Sequence, residues 1–331
     1  MFAELLDDVD VDTVVWMMHL IFPPAGKRCL LLPGAWAKLV MSLALSLTAL
    51  AASAACQNRS VSVAVLQFGS SSTGMRAAAR VREVFIDQTG KEFSLVDSDL
   101  ARTAARGAGF AGSLNLSTEE ARDIGAAIGC EFYFIGDAET LRRVPSNGPA
   151  YFDSFASIFL VSARTGRLIL WERPLERRDT AAEAESALLQ TLSSAGSRQQ
   201  LQVAVRRALE EESAQREFAA GKPESVIEVM WDQDGAQENR EVRAPRPFKR
   251  FKPAYPEAAA SAEVEAVVDA LVDVDARGEV GRIEIARWAG YGLDQSVIDT
   301  VKQLHFFPAM RNGVAIPMRV LLRYNFRKPP R

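Results

Sequence analysis

The sequence predicts an α+β chain, with an α/β unit through its middle and a small β-β-α-β unit at its C-terminus. Three observations carry this reading. Short β-rich runs alternate with helical patterns from about residue 61 to 171, which is the signature of an α/β layer. From residue 264 a β-branched alternation, a turn, a return strand, a helical segment and a last strand follow in order. The 331 residues, 48% hydrophobic and 24% charged, are enough for two ordinary globular domains. The expected boundaries are an N-terminal extension with a signal peptide or anchor (1–55), an α/β domain with C-terminal helices (60–221), a linker (222–252) and a C-terminal domain (253–328).

The α/β unit opens with Val61-Ser62-Val63-Ala64-Val65-Leu66-Gln67-Phe68, an almost unbroken β run typical of a buried strand. The turn Gly69-Ser70-Ser71-Ser72-Thr73-Gly74 leads to a helix with Ala78, Val81, Val84 and Phe85 on one face. Residues 93–96 give a second strand. Ser117-Thr118-Glu119-Glu120 is a capping-box signature that opens a helix running through Ile128. Residues 131–136 give a third strand. Residues 155–161 and 167–171 flank Ser162-Ala163-Arg164-Thr165-Gly166, a hairpin turn ending in glycine. Between Thr180 and Gly221, Leu188, Leu189, Leu192, Leu201, Val205, Ala208 and Leu209 have helical spacing. They predict one or two amphipathic helices packed on the sheet. Residues 226–231 have strand character, and Arg246, Lys249, Arg250 and Lys252 form a basic run read as solvated, extended linker.

The C-terminal unit starts at Tyr255-Pro256 and a short helical patch at 257–261. Residues 264–274 alternate as a half-exposed strand. Asp275-Ala276-Arg277-Gly278 is a turn, with Gly suited to positive φ, and 280–285 is the return strand. Val297, Ile298 and Val301 place a helix over 293–304, which Phe307-Pro308-Ala309 stops. A turn at 313–317 precedes the last strand, 318–326. That strand's alternation puts Arg319, Leu321 and Arg323 on one face and Val320, Leu322 and Tyr324 on the other.

The N-terminus carries export signals. Lys27, Arg28 and Lys38 precede an apolar run at 39–55 that drifts to small residues, and Ala52-Ser53-Ala54 fits a cleavage site. Three fates stand open: cleavage, lipidation at Cys56, or retention of 30–55 as an anchor. The preface 1–24 is consistent with a true start nearer Leu30. The three cysteines, Cys29, Cys56 and Cys130, form no C-x-x-C pair. In an oxidising compartment Cys56 and Cys130 are a candidate disulfide; the other reading makes Cys130 a buried apolar residue.

Several chemistries lack their residues. The two histidines, His19 and His305, are too few for a His-rich metal site, and no metal ligand set is expected. His305 reads as packing or surface. The 69–74 turn has neither a Gly-Lys-Ser/Thr loop nor three spaced glycines, so it reads as a plain strand-to-helix connection. The net charge of −3 gives no reason to expect nucleic acid. No nucleophile–base pairing is visible, so the expectation is a non-enzymatic protein with no catalytic residue and no cofactor.

The order Tyr255-Pro256, Asp275-Ala276-Arg277-Gly278, Leu293-Asp294, Phe307-Pro308-Ala309, Gly313 and the final strand resembles the C-terminal domain of TonB-family energy transducers. Residues 63–68, 124–136 and Thr165-Gly166 more weakly resemble the α/β domain shared by CsgG-like curli-assembly lipoproteins and the amino-terminal part of TolB. The first resemblance implies a periplasmic location in a Gram-negative envelope and docking of partners by strand addition at 318–326. Its site residues here are Tyr255, Pro256, Arg319, Leu321 and Arg323. The implied partners are outer-membrane receptor segments or other envelope proteins, with a second copy of the chain as another. Two further readings stand beside docking: a membrane-anchored energy transducer, which would engage inner-membrane motor proteins only if the N-terminal anchor is retained, and a lipoprotein of secretion or surface-fibre assembly. The chain departs from the family at Ala262-Glu263, where a glycine is usual, and at Leu304-His305-Phe306-Phe307. It also lacks the long Pro-Lys spacer and any His between 30 and 55, which weakens the transducer reading.

Overall fold

The structure, a computed structural model, describes residues 60–86, 92–220 and 242–328. The export segment, Cys29, Cys56, His19 and the strand expected at 226–231 lie outside them. No helix among the described residues is long and apolar enough to cross a membrane.

The middle of the chain builds a sheet of order β2-β1-β3-β4-β5, with β6 pairing off β4. Its strands are β1 (Val61–Phe68), β2 (Phe93–Leu95), β3 (Phe132–Arg143), β4 (Tyr151–Ser162), β5 (Leu168–Glu172) and β6 (Leu175–Arg178). β1 runs parallel to β2 and β3, whereas β3, β4 and β5 pair antiparallel. The sheet is therefore mixed. β3 and β4 extend well beyond their expected spans and stay paired along their whole length.

Successive side chains of a strand point to opposite faces, and β1 uses both. Val63, Val65 and Phe68 join one buried cluster with α1 (Ser72–Val84), α4 (Ala181–Leu192) and α5 (Ala195–Ala220). That cluster takes in Leu188, Leu192, Leu201, Val205 and Ala208, the helical stripe read from the sequence. Glu212 of α5 ties the helix to the β4–β5 hairpin by accepting from Ser162 Oγ at 2.5 Å and Arg164 Nε at 2.8 Å.

Ala64 and Leu66 face the other way, into a cluster with α2 (Ser98–Gly107) and α3 (Thr118–Ile128). The capping box is present at α3: Ser117 Oγ accepts from Glu120 N–H and the Glu120 carboxylate accepts from Ser117 N–H. α2 lies where the sequence pattern marks no element. Its start signal is Asp97, whose carboxylate accepts from the N–H groups of Asp99 and Leu100.

This second cluster does not end with the α/β unit. It continues into Val268, Ala270 and Val272 of β9 (Ala266–Val274) and into Val297 and Val301 of α7 (Leu293–Val301). Trp288, 2% exposed, stands at the junction. Its ring stacks on Phe159 at 5.9 Å between centroids, and its indole N–H donates to Gly166 O at 3.0 Å. Asn115 adds a polar clasp. Its Nδ2 donates to Val267 O and Trp288 O at 2.8 and 2.7 Å, and its Oδ1 accepts from Val267 N at 3.0 Å.

The C-terminal sheet has the order β10-β9-β14, with β10 (Val280–Arg287) and β14 (Met318–Phe326) flanking β9. At the β9–β10 turn the Asp275 carboxylate accepts from the N–H groups of Arg277 and Glu279. Gly278 there has φ +86°, and a Cβ on it would lie 1.8 Å from Phe306 O. Three expectations change. α7 stops at Val301, with Gln303 and Leu304 N–H bonding back to Thr300 and Val301. The turn expected at 313–317 is a hairpin instead: β12 (Ala309–Arg311) and β13 (Val314–Ile316) pair around Asn312 and Gly313. Both turn residues have positive φ, 50° and 81°, as a two-residue hairpin with matching twist demands. The end of the expected linker is also structured. β7 (Val242–Arg243) pairs with β12, and β8 (Arg246–Pro247) pairs with β11 (Phe306–Phe307). Burial of Phe306 and the Phe248–Phe307 ring contact at 4.1 Å recruit these residues.

Candidate functional site: the outer edge of β14

β14 pairs with β9 residue for residue over its whole length, from Met318↔Val274 to Phe326↔Ala266. Among the described residues no strand pairs with its other edge. Met318, Val320, Leu322 and Phe326 are buried. Arg319, Leu321 and Arg323 occupy the opposite face, as their spacing predicts.

Which backbone groups of β14 meet the open edge follows from Asn115. In an antiparallel pair, residues alternate between those that exchange both backbone bonds with their partner and those that exchange none. Val267 gives both its N–H and its C=O to Asn115, away from β14. Its partner Asn325 is thus in a non-bonded pair and presents its own backbone groups outward. The unbroken register carries this parity along the strand to Arg323, Leu321 and Arg319. The three β14 residues singled out from sequence are the ones whose N–H and C=O face the open edge.

The two arginines are also held by their neighbours. Arg319 Nε and Nη2 meet the Asp273 carboxylate at 2.5 and 3.0 Å, and Arg323 does the same to Asp269 at 2.8 and 3.1 Å. Asp269 is 6% exposed, and Arg287 stands 3.7 Å from it on the other side. These forked pairs join directly opposite residues and support the cross-strand register. The pairing has a sequence signal, since Asp269 and Asp273 repeat at the same spacing as Arg319 and Arg323.

Tyr255 and Pro256 lie elsewhere. The Tyr255 hydroxyl donates within its own segment, to Val264 O at 2.5 Å, and its ring approaches Phe326 at 6.2 Å. Burial and nearby Glu265 and Glu263 raise its pKa. Pro256 caps the short helix α6 (Glu257–Ser261). Both shape the end of the sheet.

Of the remaining candidates, Cys130 is a half-buried free thiol whose pKa burial pushes up to about 12. Its expected partner Cys56, also the lipidation candidate, lies outside the described residues. His305 is exposed, with Nδ1 3.3 Å from Glu279 Oε2. Asp294, by contrast, carries a strong perturbation that the sequence did not flag. Its carboxylate accepts from Ala289 and Gly290 N–H, both at 2.8 Å, yet burial pushes its pKa up to about 6. It holds the loop that carries Trp288.

Residues 251–327 match the family model for the Gram-negative bacterial TonB protein C-terminal. No curated protein matches the chain in sequence. Among solved structures, the TonB C-terminal domain of Pseudomonas aeruginosa aligns at 18% identity, covering 29% of this chain and 96% of that one, with a TM-score of 0.24. The LpoB C-terminal domain from Salmonella enterica aligns at 16% identity over 37% of this chain and 85% of that one, with a TM-score of 0.25. A lipoprotein of Neisseria meningitidis, GNA1162, aligns at 12% identity over 46% of this chain and 99% of that one, with a TM-score of 0.27. At these values the structural neighbours say nothing about activity. The motif order, the β10-β9-β14 sheet with α7 across it, and the family match converge: residues 251–327 are a TonB C-terminal domain.

Proposed function

We propose that this chain is a non-enzymatic envelope protein of a Gram-negative bacterium that captures extended segments of other envelope proteins by strand addition at β14. The observation that carries the reading is the edge of β14 that no strand pairs among the described residues, within the TonB C-terminal domain, with the backbone groups of Leu321 and Asn325 directed away from β9. An incoming strand would take its affinity from those main-chain groups and its selectivity from the side chains between the arginines. Outer-membrane receptor segments are the partner class that the domain suggests. The α/β unit, which resembles CsgG-like and TolB amino-terminal domains, would act as the platform on which the docking sheet is fixed.

Incorporating a photo-crosslinking residue at Leu321 of the full chain tests this. Adducts with outer-membrane proteins, lost when the same residue is placed at the buried Leu322, are expected. Equal labelling at both positions, or none at Leu321, contradicts docking at this edge. The same open edge favours one second reading, pairing of two copies through β14. Sedimentation of the full chain separates the two, since a Leu321→Pro variant would then become monomeric.

A further inference from the structure

A second site lies in the α/β unit, at the far end of its parallel strands. β1 and β3 are parallel neighbours, but their connections run on opposite faces of the sheet. The chain leaves β1 for α1 on the face of Val63 and Val65. It enters β3 from α3, on the face of Ala64 and Leu66. The carboxyl end of β1, beside Gly136 and Asp137 of β3, lies next to the C-terminal part of α2 and the loop after it, and a crevice opens there. Here the crevice is a cavity of about 750 Å³, within the ordinary range for small-ligand pockets.

Its walls are chemically unlike. On one side, Arg102 and Arg106 project from successive turns of α2. Arg102 is engaged by Asp99 at 2.8 Å. Arg106 forms no ion pair among the described residues and stands at the positive side of the cavity. Across from α2, Asp137 of β3 supplies a half-buried carboxylate that likewise forms no ion pair among the described residues. Leu66, Phe110 and Leu114 add apolar lining. A cation and an anion lining one concave, partly apolar space complement a ligand with both charges. A purely anionic ligand would face Asp137, and a purely cationic one would face both arginines.

We propose that this crevice binds a small zwitterion, with its carboxylate on Arg106, its ammonium on Asp137 and its apolar portion against Leu66, Phe110 and Leu114. The same chemistry is offered by a free amino acid and by a short peptide with both termini free. The site is remote from β14 in sequence and independent of the docking reading.

Calorimetric titration of the full chain with leucine, phenylalanine, their N-acetyl and methyl-ester forms, and dileucine tests it. Saturable binding is expected for an unblocked ligand, with each blocked form about tenfold or more weaker, the loss of one charge-assisted contact. A tighter dileucine than leucine would assign the peptide as the source, and the reverse the free amino acid. Arg106→Glu and Asp137→Asn should each weaken binding by a similar factor. Arg106 is exposed, and the Asp137 change is isosteric and removes a charge that burial disfavours, so neither variant should melt below the parent. Absence of saturable binding at millimolar ligand, blocked forms that bind as well as free ones, or affinity that survives Arg106→Glu would each overturn the assignment.

Discussion

Asn115 substitutes for a short strand with one side chain. It satisfies both backbone groups of Val267 and the carbonyl of Trp288, three bonds that link the loop after α2 to the C-terminal sheet. Asn115→Ala should leave these partly buried groups without partners and cost about 2–4 kcal/mol in urea unfolding, at about 1–3 per stranded group with some regained from water. A change below about 0.5 kcal/mol, within the usual range for a surface substitution, would mean that the clasp is ornamental. Asp294 gives a pH signature. Its carboxyl rises from 3.8 to about 6 on folding, so the folded chain binds its proton more tightly than the unfolded one. The associated stability is full below about pH 3.8 and is lost as pH rises through 6. A rise of that size corresponds to about 3 kcal/mol. Asp294→Asn should flatten this part of the stability profile between about pH 4 and 6.5, and an unchanged slope would place the titration elsewhere.

At the scale of elements, turns decide the C-terminal sheet. Gly278→Ala would require a left-handed conformation and drive a Cβ into Phe306 O. A loss of at least about 2 kcal/mol is expected in a denaturant series, combining strain at positive φ with displacement of the β8–β11 pair. β1, α3 and the β9–β10 hairpin were legible because each rests on local chemistry: β-branched alternation, a capping box, and a glycine at the end of a tight turn. α2 and β6 were not. α2 shows only a lone Asp97 cap and alanines in its buried face, a weak periodic signal. β6, Leu-Glu-Arg-Arg, owes its pairing to Phe155 and its neighbours in β4 rather than to its own composition. β8 and β11 are strands only because Phe306 is buried, a fact set far from residues 246 and 247. At the candidate site, the face of β14 could be read from alternation. Which of its backbone groups point outward could not, because that depends on Asn115.

For the whole molecule, the telling feature is the single cluster that runs from Leu66 and Ile135 through Phe159 and Trp288 to Val272 and Val301. A C-terminal sheet built onto a second sheet in this way cannot swing freely on a tether. Native-state hydrogen exchange should show β4 and β9 opening with one common free energy, as members of one cooperative unit. Opening of β9 at a much lower free energy would make the two sheets separable. The most direct test of the account is amide exchange along β14 itself. In the free chain, the amides of Leu322 and Tyr324, bonded to β9, should be protected, and those of Leu321 and Asn325 should exchange rapidly. Addition of an extended segment from a captured outer-membrane partner should protect Leu321 and Asn325 without altering Leu322. Uniform protection of all four amides in the free chain, or no change at Leu321 and Asn325 on saturation with the partner, would contradict docking by strand addition.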